Sequence, residues 1–151
     1  MFFYSIAFLI TALDQLIKYL VQKEMIVGQS IPLIGHVFKL TYVRNTGAAF
    51  SLFVGFSPYL AAIGLAVAVA VIYLHYRTSP ENYLLQIGFA TILGGSLGNL
   101  IDRLFRFYVI DYLDITVWPV FNLADIMINV GVIMLACRLF SQGEKDASRS
   151  A

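Results

Sequence analysis

Four stretches of the chain are apolar and long enough to cross a bilayer, and they determine the predicted architecture. A helix needs about 20 residues to cross the roughly 30 Å hydrocarbon core. The short turn-forming sequence Ser-Pro-Glu-Asn separates the second and third stretches, so these two are expected to lie side by side. The predicted spans cover about residues 2–21, 58–76, 84–103 and 120–140.

The first span has a second interpretation, as a cleaved secretory signal peptide. A signal peptide has a positive amino-terminal region and a small-residue cleavage site. This segment begins Met-Phe-Phe-Tyr, carries Asp14, Gln15 and Lys18, and is followed by further spans, so we expect a retained anchor. Asp14 and Lys18 are four positions apart, which is compatible with an ion pair on one helix and equally with contacts to polar residues elsewhere.

Between the first two spans, at about residues 22–57, the pattern changes. Short runs of β-branched and aromatic residues, interrupted by Gly28, Pro32 and Gly35, are typical of a small β-structure at the membrane surface. The apolar segment 47–56 is too short to span and favours a short interfacial helix. It is also a candidate lid over a polar site, the alternative being an anchor for the β-structure.

The predicted fold class is an all-α membrane protein with four transmembrane helices, this small β-structure and the short interfacial helix. In the third span Gly94 and Gly98 have the spacing that lets two helices approach closely. Residues 1–141 are expected to form a single membrane domain. Residues 142–151 are polar and are predicted to be a disordered tail.

Composition supports a membrane protein and excludes several other classes. Of the 151 residues, 60% are hydrophobic and 13% are charged, which a soluble surface does not tolerate. The net charge of +1 gives no reason to expect nucleic acid as a partner. A single cysteine, Cys137, allows no internal disulfide, and His36 and His75 have no ligand-type neighbours, so neither a metal nor a cofactor is predicted.

Polar residues concentrate in one segment, 94–129, which contains four aspartates, two arginines and three asparagines. An ionised side chain at membrane depth costs about 2.5 to 3.5 kcal/mol even on a lenient scale, so it usually has a partner or a function. The connection between the last two spans can bring Asp111 or Asp114 against Asp125. Helical spacing places the following residues near the same face of the bilayer: Asn99, Asp102, Arg103, Asn122, Asp125 and Asn129.

Two neighbouring carboxylates cannot both ionise readily, so one keeps a proton while the other acts as a base. Such a pair can activate water for attack on an amide without a metal or a covalent intermediate. The serines and Cys137 have no adjacent histidine to act as a base. The alternative for the aspartates is a solvated set paired with Arg103 and Arg106, and the residue pattern does not choose the partner of Asp125 from Asp102, Asp111 and Asp114.

Five motifs, in order and over nearly the whole chain, resemble those of the bacterial lipoprotein signal peptidase (signal peptidase II) family. Together they are highly specific. They are Asp14-Gln15 with Lys18, YVRNTGAAFS at 42–51, GGSLGNLIDR at 94–103, VIDY at 109–112 and FNLAD at 121–125.

The resemblance implies an intramembrane aspartyl protease that removes the signal peptide of diacylglyceryl-modified prolipoproteins just before the lipid-modified cysteine. It implies a bacterial inner-membrane location, cytoplasmic termini, and a β-structure and active site at the extracytoplasmic face. The catalytic pair would be Asp111 and Asp125. The other residues implied to line or support the site are Asn99, Arg103, Asn122, Asn45, Asp14 and Asp102.

The expected partners are the lipid-modified prolipoprotein and membrane lipid, and the sequence leaves the oligomeric state open, a monomer being compatible with it. One departure from the family is the loop between Asp111 and Asp125, whose 14 positions are few for the family. The shape of the extracytoplasmic rim is therefore expected to differ.

Two other functions are considered beside this one. A small ion- or proton-coupled transport subunit would also contain intramembrane Asp and Arg, but the chain shows no repeat and its carboxylates gather at one face. A non-catalytic assembly factor could use the polar cluster to bind a partner helix. Counting Lys and Arg in the loops favours termini outside the cytoplasm, whereas the resemblance implies cytoplasmic termini. The count includes Arg44 and Arg103, which lie among the polar residues suspected of function and can be present for that reason.

Overall fold

The computed structural model describes residues 2–35, 37–47 and 57–150, with side chains through residue 141. Long helices alternate with a small sheet. The helices are α1 (Phe2–Glu24), α2 (Ser57–Arg77), α3 (Tyr83–Phe105) and α4 (Leu123–Ser150). The strands are β1 (Ser30–Ile34), β2 (Phe38–Asn45) and β3 (Val109–Asp114).

The four predicted spans are confirmed as helices that are long and apolar enough to cross a membrane. In α4 the part that meets this condition is Leu123–Ser141, and the backbone continues as helix to Ser150. The predicted disorder of residues 142–151 stays a prediction, as does the single domain at 1–141. The fourth helix begins at Leu123, later than the predicted 120, because Asn122 caps its first turn.

Helix α3 is the centre of the bundle and packs against α1, α2 and α4. About 72% of its most apolar stretch is buried inside the protein, compared with 28% or less for the other three helices. The outer faces of those helices expose large apolar side chains, among them Phe8, Tyr59 and Ile133. Lipid is the medium that suits such faces, because it imposes no cost on exposed apolar surface.

Three glycines let the neighbouring helices approach α3 closely. A Cβ on Gly94 would lie 2.8 Å from the carbonyl oxygen of Ala7, and one on Gly98 would lie 2.5 Å from Oδ2 of Asp14, both on α1. A Cβ on Gly95 would collide with the carbonyl oxygen of Ala124 on α4. The close approach predicted from the Gly94 and Gly98 spacing is therefore confirmed, and it brings the polar residues of α1 against those of α3.

The sheet has the strand order β1-β2-β3, and both pairs are antiparallel. Strands β1 and β2 confirm the predicted β-structure after the first span. The third strand was not predicted, because the sequence of the last loop was interpreted only as a connection. In β3 Asp111 pairs with Val43 and Val109 pairs with Asn45, which holds the carboxylate of Asp111 next to the end of β2.

A small apolar cluster joins this sheet to the end of α1. Tyr42 of β2 and Ile110 and Tyr112 of β3 are buried against Val21 and Met25. The sheet therefore packs against the end of α1, so its strands can position side chains relative to the helix bundle. The predicted interfacial helix and lid cover residues 47–56, of which 48–56 lie outside the described residues, so both stay predictions.

Candidate active site

Asp111 and Asp125 line the same cavity, which has a volume of about 640 Å³. Asp111 lies in the middle of β3, and Asp125 lies in the first turn of α4. Asn45, Asn99 and Arg103 line the same cavity. The structure thus brings the two aspartates together from different elements and surrounds them with amide and guanidinium groups.

The carboxylate of Asp111 is almost completely buried and accepts two hydrogen bonds. Nδ2 of Asn45 donates to Oδ2 at 2.9 Å, and Nδ2 of Asn122 donates to Oδ1 at 2.6 Å. Burial, followed by the negative charge of Asp125, raises the pKa of Asp111 from its ordinary value of 3.8 to about 7, although both amide hydrogen bonds oppose the change. At neutral pH this carboxyl group therefore exchanges readily between its protonated and ionised forms.

Asp125 is held by the start of its own helix. The backbone N–H of Asn122 donates to Oδ2 of Asp125 at 3.2 Å, and the backbone N–H of Asp125 donates to Oδ1 of Asn122 at 3.0 Å. This reciprocal pair is a capping box, which satisfies two backbone donors at a helix start. The other carboxylate oxygen, Oδ1, accepts a 2.8 Å hydrogen bond from Nδ2 of Asn99.

Two asparagine side chains join the two aspartates into one network. Nδ2 of Asn122 donates to Oδ1 of Asn99 at 3.2 Å as well as to Asp111. Asn99 in turn donates to Asp125. Both asparagines are buried, so the carboxylates receive their hydrogen bonds from groups that have little freedom to move.

Behind Asn99 lies a cluster of buried charges. Lys18 is fully buried, and its Nζ contacts Oδ2 of Asp14 at 2.8 Å, Oδ2 of Asp102 at 2.9 Å and Oδ1 of Asn99 at 3.0 Å. Both interpretations left open for Lys18 are therefore correct, since it forms the ion pair with Asp14 and also contacts the distant polar residues. Arg106 provides a second positive charge by bonding to Oδ1 of Asp102.

The same cluster is tied to the backbone that carries the two aspartates. Oδ2 of Asp102 accepts the N–H of Ile110 at 3.1 Å, one residue before Asp111. Oδ1 of Asp14 accepts the N–H of Ala124 at 3.1 Å, one residue before Asp125. Asp14 and Asp102 do not line the cavity, so they support the site from behind.

Arg103 differs from the other charged residues of the site. Its guanidinium lines the cavity and is attracted electrostatically by the carboxylates of Asp125 and Asp111. It makes no hydrogen bond or ion pair with any residue that the structure describes. Asn129 also lines the cavity and donates to the backbone oxygen of Asp125 at 2.8 Å. Arg103 therefore has donors to offer to a molecule in the cavity.

The structure separates Asp114 from the site. Its Oδ2 accepts from Oγ1 of Thr41 at 2.7 Å and its Oδ1 accepts from the N–H of Thr116 at 2.8 Å. These hydrogen bonds lower the pKa of Asp114. Of Asp102, Asp111 and Asp114, which the residue pattern left open, Asp111 is the one that lines the described cavity with Asp125. Asp102 is held in the charge cluster, and Asp114 lies at the far end of β3.

The rest of the cavity wall is mainly apolar and follows α4. Phe121, Ile126, Val130 and Ile133 line it. In the part of the chain that the structure describes, no three His, Cys, Asp or Glu side chains come together in a way that could hold a metal ion. The cavity therefore combines a polar end, where the carboxylates lie, with an apolar wall along a membrane helix.

Sequence reasoning placed most of these residues but missed one. Lys18 was not among the predicted site residues, although contacts to distant polar residues were left open for it, and its contacts with Asn99 and Asp102 join residues 81 or more positions apart. A basic residue in the middle of an apolar span was the available signal, because such a residue needs partners.

A family model described as signal peptidase (SPase) II matches residues 6–141. The chain belongs to the signal peptidase II family. It is 44% identical over 137 residues to a lipoprotein signal peptidase from Moorella thermoacetica, covering 91% of each chain. It is 41% identical over 150 residues to the lipoprotein signal peptidase of Bacillus subtilis, covering 96% of this chain and 97% of that one.

A solved structure described as a bacterial membrane enzyme has the same fold, with a TM-score of 0.88 and 29% identity. The match covers 93% of this chain and 88% of that one. This signal peptidase II family member is thus a protease and a multi-pass membrane protein. The family does not support the two other functions considered, a transport subunit and a non-catalytic assembly factor.

Proposed function

We propose that the protein is an intramembrane aspartyl endopeptidase that removes the signal peptide from diacylglyceryl-modified prolipoproteins. It cuts just before the lipid-modified cysteine, and Asp111 and Asp125 activate the attacking water. The observation that carries this proposal is that these two carboxylates line one cavity and are both hydrogen-bonded to Asn122.

In this mechanism the pair holds one proton, on Asp111, while Asp125 is ionised. The raised pKa of Asp111, about 7, supports this assignment because the group keeps its proton near neutral pH. Asp125 takes a proton from a water molecule, and the water oxygen attacks the carbonyl carbon of the scissile amide. Asp111 protonates the carbonyl oxygen, which gives a gem-diol intermediate. As the C–N bond breaks, the proton on Asp125 passes to the departing nitrogen and one hydroxyl proton of the gem-diol returns to Asp111, so the products are a carboxylic acid and an amine and the dyad is restored.

Arg103 is the residue available to orient the peptide. Its guanidinium lines the cavity beside both aspartates and has no hydrogen-bond partner among the described residues. A planar fork of donors suits a carbonyl oxygen. We assign Arg103 to a carbonyl of the substrate near the scissile bond, where it also stabilises developing negative charge.

The apolar wall supports a substrate that comes from the membrane. Ile126, Val130 and Ile133 line the cavity along α4, and this helix belongs to a span. A signal peptide and the acyl chains of the modified cysteine are both apolar. They can therefore lie against this wall while the scissile amide reaches the carboxylates.

The proposed location is the bacterial inner membrane, with the cavity at the extracytoplasmic face and both termini in the cytoplasm. Four spans place both termini on one side. The sheet and both aspartates lie at the opposite ends of the helices from Phe2 and Arg77. Cleavage of a secreted precursor requires that this opposite end face the outside.

The test is cleavage of a lipid-modified prolipoprotein by purified protein in detergent, with the released signal peptide as the readout. Asp111→Asn and Asp125→Asn should each abolish cleavage, because an amide can neither take a proton from water nor return one. Asp114→Asn is the matched control, since it makes the same change on β3 away from the cavity. Near-normal turnover in either of the first two variants contradicts the dyad.

The substrate class is tested in the same assay. The unmodified precursor, which lacks only the diacylglyceryl group, should be cleaved poorly. Equal cleavage of the two precursors would contradict the assignment to lipid-modified substrates while leaving the dyad in place.

A further inference from the structure

We propose that Lys18 is a positioning residue for the reaction, because its hydrogen bond to Oδ1 of Asn99 fixes the direction in which the Asn99 amide points. The inference rests on the proposed aspartyl dyad. Lys18 does not line the cavity, so it acts on the aspartates through Asn99 and not by touching the substrate.

The contacts of Lys18 use its full bonding capacity. An ammonium group has three donors and no acceptor, and Nζ has three partners, Asp14, Asp102 and Asn99, at 2.8, 2.9 and 3.0 Å. The side chain is fully buried. A buried charge with every donor satisfied has a strongly preferred position, so the direction of its bond to Asn99 is well determined.

This bond decides which end of the Asn99 amide faces Asp125. The two ends of an asparagine side chain have nearly the same shape, and only their hydrogen-bond partners distinguish them. Because Lys18 can only donate, the atom that faces it must be the oxygen. The NH₂ group of Asn99 must then face Asp125, to which it donates at 2.8 Å.

The second amide is fixed by a backbone donor. The N–H of Asp125 can only donate, and it points to Oδ1 of Asn122. The NH₂ group of Asn122 therefore faces Asp111, and it also donates to the oxygen of Asn99 that Lys18 holds. Both carboxylates consequently meet N–H donors, and at Asp125 such donors stabilise the ionised form that a base requires.

Removing the donor of Lys18 leaves the oxygen of Asn99 held only by the longer, uncharged hydrogen bond from Asn122, at 3.2 Å. The amide can then turn over and present its oxygen to Asp125, where two acceptors would repel each other. We expect slower chemistry with unchanged substrate binding, because the cavity wall itself is not altered. The charged and titratable groups around the Asn99 amide are Asp14 and Lys18 of α1, Asp102, Arg103 and Arg106 of α3, Asp111 and Tyr112 of β3, and Asp125 of α4.

Lysine at this position also has a structural role, since it balances the buried charges of Asp14 and Asp102. A single Lys18→Met variant can therefore lose activity simply by unfolding. The double variant Lys18→Met with Asp14→Asn separates the two roles. It removes one positive and one negative charge, so the cluster keeps its net charge, but the donor to Asn99 is still missing.

The experiment measures kcat and KM for the double variant, with the amount of folded protein determined by thermal unfolding in the same detergent. We expect a folded protein with an unchanged KM and a kcat lower by about 100-fold, the effect of a small displacement of a reacting group. Arg106→Gln is the matched control. It removes a positive charge from the same Asp102 carboxylate without touching Asn99, and its kcat should stay close to that of the unmodified protein.

A folded double variant with normal kcat would overturn the inference, because charge balance would then be the whole role of Lys18. A loss of kcat in Arg106→Gln equal to that in the double variant would also overturn it. These outcomes are distinct from a failure of the proposed function, which would show itself as turnover by Asp111→Asn or Asp125→Asn.

Discussion

Asn122 donates a 2.6 Å hydrogen bond from Nδ2 to Oδ1 of Asp111. The oxygen of the same side chain accepts the N–H of Asp125 and so caps α4. One buried residue therefore both caps a helix and holds the carboxylate of Asp111. Because different atoms carry the two roles, substitutions can separate them.

Asn122→Ser should separate them, because serine is about as good a helix cap as asparagine but has no NH₂ group to reach Asp111. We expect Asn122→Ala to be less stable than Asn122→Ser by about 1 kcal/mol, the typical value of a lost cap. Both variants should lose turnover to a similar extent. Chemical unfolding in detergent measures the stability, and the cleavage assay measures the turnover. Normal turnover by Asn122→Ser would show that the NH₂ group of Asn122 is not needed for cleavage.

The raised pKa of Asp111 predicts how pH affects stability and activity. Between pH 3.8 and about 7 the folded protein binds a proton at Asp111 that the unfolded chain has released, so this group lowers the free energy of unfolding as pH rises. The slope is at most about 1.4 kcal/mol per pH unit for one proton. Turnover should fall as pH rises past about 7, because Asp111 then loses the proton that it donates.

The stability part is measured by comparing Asp111→Asn with the unmodified protein at pH 5 and pH 8. The variant lacks this titration, so its advantage in stability should grow with pH. Asp114→Asn is the control, and its stability relative to the unmodified protein should be the same at pH 5 and pH 8, because both values lie above the ordinary pKa of 3.8. The pKa of Asp114 is lowered, so Asp114 stabilises the fold above the unfolded pKa and loses this effect as pH falls through the folded pKa. A common pH trend in both variants would contradict the assignment.

Gly98→Ala should disturb the charge cluster. An added Cβ would lie 2.5 Å from Oδ2 of Asp14 and 3.0 Å from its Cγ, so the carboxylate that holds Lys18 would have to move. We expect a loss of about 1 to 3 kcal/mol in stability and a lower turnover. Gly64→Ala on α2 is the control, because nothing lies within 4 Å of its added Cβ, and alanine is the better helix former. Equal stability of the two variants would show that the helices can separate without cost.

Arg103→Lys should impair turnover although it keeps the charge. An ammonium cannot present the planar pair of donors that a guanidinium offers, and a lost donor to developing charge costs about 100-fold or more in rate. The comparison is Arg106→Lys, one turn further along α3 and outside the lining of the cavity. Similar turnover in both variants would show that Arg103 contributes only a positive charge and that its paired guanidinium donors are not needed.

The architecture could be predicted because its signals are local. Each span is a continuous apolar run of about the length that crosses a bilayer. The spacing of Gly94 and Gly98 likewise indicated a close helix contact. Such features depend on neighbours in sequence and not on the rest of the fold.

The choice of Asp111 and the role of Lys18 could not be obtained from local signals. Asp111 faces the cavity because β3 pairs with β2 in the register that sets it opposite Val43, and a shift by one residue would turn its side chain to the other face. Lys18 meets Asn99 across 81 positions of sequence. The residue pattern alone therefore left three aspartates as candidates, and only the resemblance to a family selected one.

The hydrogen bond between Asp14 and the N–H of Ala124 joins residues 110 positions apart. Asp14 is made with the first transmembrane helix, and Ala124 is made with the last. During synthesis α1 therefore lacks this hydrogen-bond partner until α4 has been made. We therefore expect a nascent protease to be inert until its final helix inserts, so that a truncated translation product cannot cut membrane proteins.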